Sequence, residues 1–288
     1  MMENNLHIQW YPGHMTKTRR MMEKELPIMD AVVHLLDARV VASSMNPDFE
    51  DLFKHKKRMF LLNKCDLANP EVTQKWIGYF KSQGHAALAL SCNDPKTVKG
   101  VIPALRNLLK EKIERYEQKG MKKSMRIMIT GIPNVGKSTM INLLAGRKVA
   151  AAQDRPGVTR AKQWVSLADK IDLLDTPGML WPKFEDQRTG MFLAFTGAIN
   201  DDILDKTELA LEFVRFMSEH YPEQLTQRYK LTEDITQCEP LEIYEAICKR
   251  RGFLISGGDY DYERAAAVIL DEFRGGKLGR ISFEEPRC

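Results

Sequence analysis

The sequence predicts an α/β fold, a doubly wound, mostly parallel sheet followed by a small all-helical domain. Three observations predict it. Short apolar runs alternate with stretches of helical spacing through the first two thirds of the chain. Most of those runs end in Asp, Asn or Gly, residues that turn a chain as it leaves a strand. From about residue 190 onward the strand signals fade while amphipathic helical spacing continues.

The elements follow in order. Residues 31–36, AVVHLL, end at Asp37 and read as a buried strand. RMFLL, 58–62, leads into NKCD and reads likewise. Residues 70–83 open with Asn69-Pro70 and close near Gly84, as a helix does. HAALAL, 85–90, is a third strand ending at SCN. Over 97–117 the apolar positions Val98, Ile102, Leu105, Leu108, Leu109 and Ile113 have the spacing of one helix. QKGMKKS, 118–124, is a polar linker. MRIMIT, 125–130, is a strand that feeds a Gly-rich turn and a helix over 137–145, and two further strands fall at 162–167 and 170–175. In the tail, Leu209, Phe213, Val214 and Met217 share one helical face, as do Ala266, Ile269, Leu270 and Phe273. The expected domains are 1–187 and 188–288.

Composition narrows the class. The chain has 288 residues, 43% hydrophobic and 28% charged, which fits a folded globular protein rather than a disordered one. No long charge-free window exists, so no membrane-spanning helix is expected. The amino terminus has no basic cluster before an apolar core, so no signal peptide is expected. Five cysteines, irregularly spaced and without a CxxC pair, argue against a disulfide framework or a structural zinc site and for the reducing cytoplasm. The net charge of +4 hides an asymmetry, since residues 1–189 carry +11 and residues 190–288 carry −7. The densest basic stretch runs from Lys99 to Arg126, and a positive half can meet the phosphates of a nucleotide or a nucleic acid.

Residues 131–138, GIPNVGKS, have the spacing G-x-x-x-x-G-K-[ST] between an expected strand and an expected helix. Gly131 and Gly136 let the backbone wrap closely, so that N–H groups, including those of Asn134, Val135, Gly136 and Thr139, converge on phosphate oxygens. Lys137 places an ammonium on the β- and γ-phosphates, and Ser138 offers a hydroxyl to Mg²⁺ at a helix amino terminus. Asp175-Thr176-Pro177-Gly178 follows a strand, where the carboxylate can hold the metal and the Gly178 N–H can reach the γ-phosphate. Between them lies Pro156-Gly157-Val158-Thr159. Thr159 in such a loop ligates Mg²⁺ only while the γ-phosphate is present, which makes the loop a switch.

Asn63-Lys64-Cys65-Asp66 supplies the choice of base. The Asp66 carboxylate can accept from guanine N1–H and N2–H₂, which adenine does not offer. Asn63 and Lys64 brace that loop and cover the base, and Ser91-Cys92-Asn93 can offer a backbone N–H to guanine O6. This set favours a GTPase over an ATPase or a small-molecule kinase.

Together these residues resemble the translation-factor-related GTPases, with one difference. The usual order is phosphate loop, switch Thr, DTPG, NKxD, SAK, whereas here NKCD and SCN come first. The order is circularly permuted, with QKGMKKS joining the old end to the old start. The second switch then leads directly into the helical tail. WYPGHM (Trp10 to Met15), the permuted order and the helical tail resemble the bacterial ribosome biogenesis GTPase A family over essentially the whole chain.

That resemblance implies GTP hydrolysis stimulated by the ribosomal particle, late assembly of the large (50S) ribosomal subunit, and binding to ribosomal RNA and ribosomal proteins, by a protein expected to be monomeric. It implies a catalytic role for His14, the alternative being that His14 packs or binds RNA. It associates Asn134 with a bound K⁺, the alternative being that Asn134 stabilises its own loop. Met179 follows Gly178 and cannot orient water as a Gln does at that place, so a slow intrinsic rate is expected. Two basic patches in the acidic tail, Lys249-Arg250-Arg251 and RGGKLGR (274–280), are candidates for an RNA backbone or for helix ends. The second functional reading is a GTP-gated RNA tether in which hydrolysis is secondary.

Overall fold

The computed structural model describes residues 8, 13–150, 162–232 and 234–286. The described residues from 13 to 184 form one compact unit together with 282–286, and those from 185 to 281 form a second, which also takes in Ile8.

The first unit is built on six strands: β1 (Ala31–Asp37), β2 (Lys57–Asn63), β3 (Ala86–Ala89), β4 (Met125–Thr130), β5 (Gln163–Leu167) and β6 (Ile171–Asp175). Their order across the sheet is β3-β2-β1-β4-β6-β5. All neighbours are parallel except β5 and β6. β1 is buried at all seven positions, which explains why its sequence, apart from His34 and the terminal Asp37, is apolar on both faces and not alternating. β5 closes the edge as an antiparallel strand, and its first two residues, Gln163 and Trp164, are exposed.

The helix Pro70–Ser82 starts where Asn69-Pro70 predicts. The Asn69 Oδ1 accepts from the Glu71 and Val72 N–H groups at 2.9 and 3.3 Å. The single helix expected over 97–117 is instead three pieces, Pro95–Val98, Val101–Leu108 and Lys110–Gln118. Leu109 departs from helical angles (φ −102°, ψ 7°) and is buried, whereas the segment after it buries no residue. The break lets Leu109 stay in the core while the charged segment beyond it, KEKIERYEQ, turns into solvent.

The second unit contains the helices Gln187–Phe195, Lys206–His220, Pro222–Tyr229, Pro240–Arg251 and Tyr262–Arg274. Its core holds both expected faces, with Leu209, Phe213, Val214, Met217, Ala266, Ile269, Leu270 and Phe273 all buried. The Phe213 and Phe273 rings lie 5.0 Å apart. No helix among the described residues is long and apolar enough to cross a membrane.

The units differ from the expected 1–187 and 188–288 division at both ends of the chain. Residues 282–286 lie on the sheet unit, because the Phe283 N–H donates to the Arg39 carbonyl at 2.8 Å and the Trp76 indole N–H donates to the Glu284 carbonyl at 3.0 Å. Ile8, an apolar side chain 3% exposed, belongs to the helical unit.

Candidate nucleotide site

Parallel strands all end on one edge of the sheet, so their carboxyl ends gather the expected motifs. Register places Asp37 opposite Asn63 and Ile129 opposite Asp175. The Gly131–Ser138 loop leaves β4 and enters the helix Lys137–Ala145. A Cβ on Gly131 would sit 2.4 Å from the Leu35 carbonyl oxygen. Gly136 has φ +97°, and a Cβ there would strike the Asn63 side chain at 2.4 Å. Both glycines are required by close approach, not merely by flexibility.

Lys137 is buried and donates to the Gly131 and Ile132 carbonyls at 3.1 and 2.7 Å. Burial pushes its ammonium down to about 8, against the pull of Asp175. The charge is held inside the loop, where phosphate oxygens can take over from the carbonyls. Val135 is buried, Thr139 lies exposed in the first helical turn, and Asn134 takes a positive φ of 55°.

Ser138 Oγ donates to Asp175 Oδ2 at 3.3 Å, and Asp175 is 1% exposed. Its other oxygen, Oδ1, is buried without a hydrogen-bond partner. Burial raises the pKa of this carboxyl, offset by Lys137 and Ser138. A buried carboxylate oxygen left open beside a hydroxyl fits a hard divalent cation such as Mg²⁺. Gly178 packs on the loop so tightly that a Cβ would lie 2.7 Å from Pro133 Cα, and the Met179 N–H donates to the Gly131 carbonyl at 3.2 Å. DTPG and the phosphate loop therefore touch.

The base loop joins the same assembly through Asn63, whose amide donates to the Val135 carbonyl at 2.7 Å and whose Oδ1 accepts the Cys92 N–H at 3.1 Å. One side chain thus staples NKCD, SCN and the phosphate loop. Asp66 Oδ2 accepts from Asn93 Nδ2 at 3.2 Å, while Asp66 Oδ1 is buried without a partner. The three backbone N–H groups of 91–93 are all engaged within the site. Ser91 donates to Thr97 Oγ1, Cys92 to Asn63 and Asn93 to Ser91 Oγ. An N–H of 91–93 offered to guanine O6, as the sequence suggests, would have to leave its present bond. Burial raises the Cys92 thiol to about 11, which keeps it protonated.

Thr159 lies outside the described residues. His14 opens the helix His14–Glu25, but its side chain also lies outside them. The neighbouring Met15 is fully buried, and its Sδ accepts the Leu180 N–H at 3.4 Å. This contact fastens the amino-terminal helix two residues beyond Gly178. Met179 is itself 0% exposed, so the segment after DTPG is packed and apolar.

Sequence reasoning missed Asp37 and Arg39. Both are 1% exposed, and Arg39 chelates Asp37 through Nε at 2.9 Å and Nη2 at 2.8 Å. Lys64, at φ +61°, sends its Nζ to the same Asp37 Oδ2 at 3.1 Å. The Arg39 and Lys64 charges hold the Asp37 carboxyl far below the usual range despite its burial. The available signal was an Asp ending a buried strand two residues before an Arg. In the tail, part of each basic patch is spent internally, with Arg251 pairing Glu272 at 3.0 Å and Arg274 pairing Asp201 at 2.7 Å.

Residues 126–240 match the family model described as a 50S ribosome-binding GTPase. A protein from Priestia megaterium named Ribosome biogenesis GTPase A is 48% identical, over 97% of both chains. The chain belongs to the ribosome biogenesis GTPase A family. A Thermotoga maritima member of that name is 30% identical over 97% of this chain and 95% of its own. Two solved structures of the Thermotoga protein YlqF, one GDP-bound and one GNP-bound, match with TM-scores of 0.65 at 28% and 27% identity. They cover 93% and 94% of this chain and 99% of each of theirs. Family membership makes this chain a GTPase with a role in ribosome biogenesis.

Proposed function

We propose that this GTPase is a switch in late assembly of the large ribosomal subunit, binding its RNA and proteins and hydrolysing GTP faster on the particle. The observation that carries the nucleotide part is the pair of open, buried carboxylate oxygens. Asp66 Oδ1 lies in the base loop and Asp175 Oδ1 at the end of β6, within one assembly stapled by Asn63. The first suits guanine donors and the second suits a metal.

In this reading Asp66 selects guanine and Asn93 releases it as the base arrives, Lys64 covers the ring, and one backbone N–H of Ser91, Cys92 or Asn93 turns to O6. The N–H groups of Asn134, Val135, Gly136, Lys137, Ser138 and Thr139 cradle the phosphates. Lys137 neutralises the β- and γ-phosphates, and Gly178 faces the γ-phosphate. Ser138, Asp175 and Thr159 would hold Mg²⁺, which spreads phosphate charge when bound. Asn134 would hold K⁺. His14 orients the attacking water, the role that Met179 leaves vacant. The protein acts in the cytoplasm as a monomer.

The experiment is GTP turnover with and without large subunits, in KCl and in NaCl, for the wild type and for His14→Ala. The expected result is turnover that rises with the particle, falls in NaCl, and loses its particle response in His14→Ala. Turnover that stays at its basal value with saturating particles sinks the proposal.

A further inference from the structure

The last described segment of the chain is not explained by the nucleotide site. Ile281 is the final residue of the helical unit, and from Ser282 the chain lies on the sheet unit. The Glu284 carboxylate accepts from the Ser43 N–H at 2.9 Å and the Ser43 hydroxyl at 2.6 Å. The Phe283 N–H donates to the Arg39 carbonyl, and the Trp76 indole donates to the Glu284 carbonyl. Ser282 Oγ accepts the Asn69 N–H at 3.0 Å. The Lys75–Glu285 pair is exposed and adds little.

These contacts fall on two stretches, 39–43 and 69–76, and both lead to the base loop. On the first, Arg39 chelates Asp37, which takes Lys64 Nζ, and Ser44, next to Ser43, accepts the Asp37 N–H at 3.1 Å. On the second, Asn69 is three residues beyond Asp66 and caps the following helix. The 63–69 segment is thus held at Lys64 through the Asp37–Arg39 pair and at its far end through Asn69. A charge-assisted bond from Glu284 to a backbone N–H and a hydroxyl gives that grip both energy and direction.

We propose that residues 282–285 are a positioning strap for the base loop. By seating Arg39 and Asn69 they keep Lys64 and Asp66 oriented on the nucleotide, with Glu284 as the principal positioning residue. The proposal rests on the reading that this loop takes guanine. The helical unit is continuous with the strap at Ile281.

The test is dissociation of a fluorescent GDP from the full chain. Glu284→Ala is expected to speed dissociation about three- to tenfold, and Ser43→Ala to act in the same direction more weakly. On a Lys64→Ala background, Glu284→Ala is expected to add little, because both act through one network. A purely structural strap would lower the melting temperature and leave dissociation unchanged, and that result overturns the proposal. So do effects of Glu284→Ala and Lys64→Ala that multiply fully. Should Glu284→Ala fold poorly, Ser43→Ala decides, since it deletes one hydroxyl, and unchanged dissociation there overturns the strap. Wild-type protein that binds ADP as tightly as GDP overturns the base reading itself. A normal preference for GDP with no response to Glu284→Ala overturns the strap alone.

Discussion

Met15 Sδ accepts the Leu180 N–H at 3.4 Å, and both residues are fully buried. The amino-terminal helix is thereby fixed to the segment that follows the γ-phosphate motif, and His14 is the residue before Met15. Met15→Ala is expected to cost about 2–4 kcal/mol of stability, as a large-to-small core change does. It is also expected to slow GTP hydrolysis more than it weakens GDP binding. Urea unfolding and single-turnover hydrolysis check this, and equal losses in hydrolysis and in GDP affinity would contradict it.

Asn63 staples three loops, so its loss is expected to weaken every guanine nucleotide alike. Asn63→Ala leaves the Val135 carbonyl and the Cys92 N–H without their partner. GDP and GTP affinities are expected to fall together by about ten- to a hundredfold. Calorimetric titration of both nucleotides measures it. A loss confined to GTP would place the effect on the γ-phosphate and not on the staple.

Lys137 is expected to make nucleotide binding pH-dependent above neutrality. Burial holds its ammonium at about 8 in the free protein. Nucleotide phosphates favour the charged form, so binding above that pH must take up a proton. Affinity is expected to fall as pH rises beyond about 8, approaching tenfold per pH unit. Titration at pH 8.5 in two buffers of different ionisation heat reads the proton uptake directly. Lys137→Arg, which stays charged, is expected to abolish the uptake.

His34 is expected to shape acid stability. It is stacked on Phe60 at 4.8 Å, contacts Phe49 and Phe53, and its Nε2 is buried without a partner. Burial, then Arg58 and His85, lower its pKa to about 3. The folded state therefore refuses a proton that the unfolded chain binds below about 6.5. Stability is expected to drop as pH falls through that value, by about 2 kcal/mol between pH 7 and pH 5. Comparing urea midpoints of wild type and His34→Phe at the two pH values isolates the effect, and parallel slopes would refute it.

Much of the site was legible because its chemistry is local. GIPNVGKS, DTPG and NKCD each announce themselves within a few residues, since a phosphate cradle or a base-reading carboxylate needs fixed residue types at fixed spacing. The strands β1 and β4 were legible as mostly apolar runs, interrupted by His34 and by the exposed Arg126, because a central parallel strand is largely buried on both faces. The division of the 97–117 region was not, because Leu108 and Leu109 fit one continuous helical stripe equally well. Only packing showed that the chain turns at Leu109 to keep it inside.

Local patterning thus specified the sheet strands, the phosphate and base motifs, their permuted order and the helical character of the tail. Everything that depends on which distant groups meet was settled by folding. Asn63 on Val135, Met15 on Leu180, Arg39 on Asp37 with Lys64, and Glu284 on Ser43 are all of this kind, and all but the Arg39–Asp37 pair join residues far apart in the chain. The reason is physical. A motif expresses the preferences of neighbouring residues, whereas a buried donor or charge takes its partner from whichever segment the packed core brings within about 3 Å.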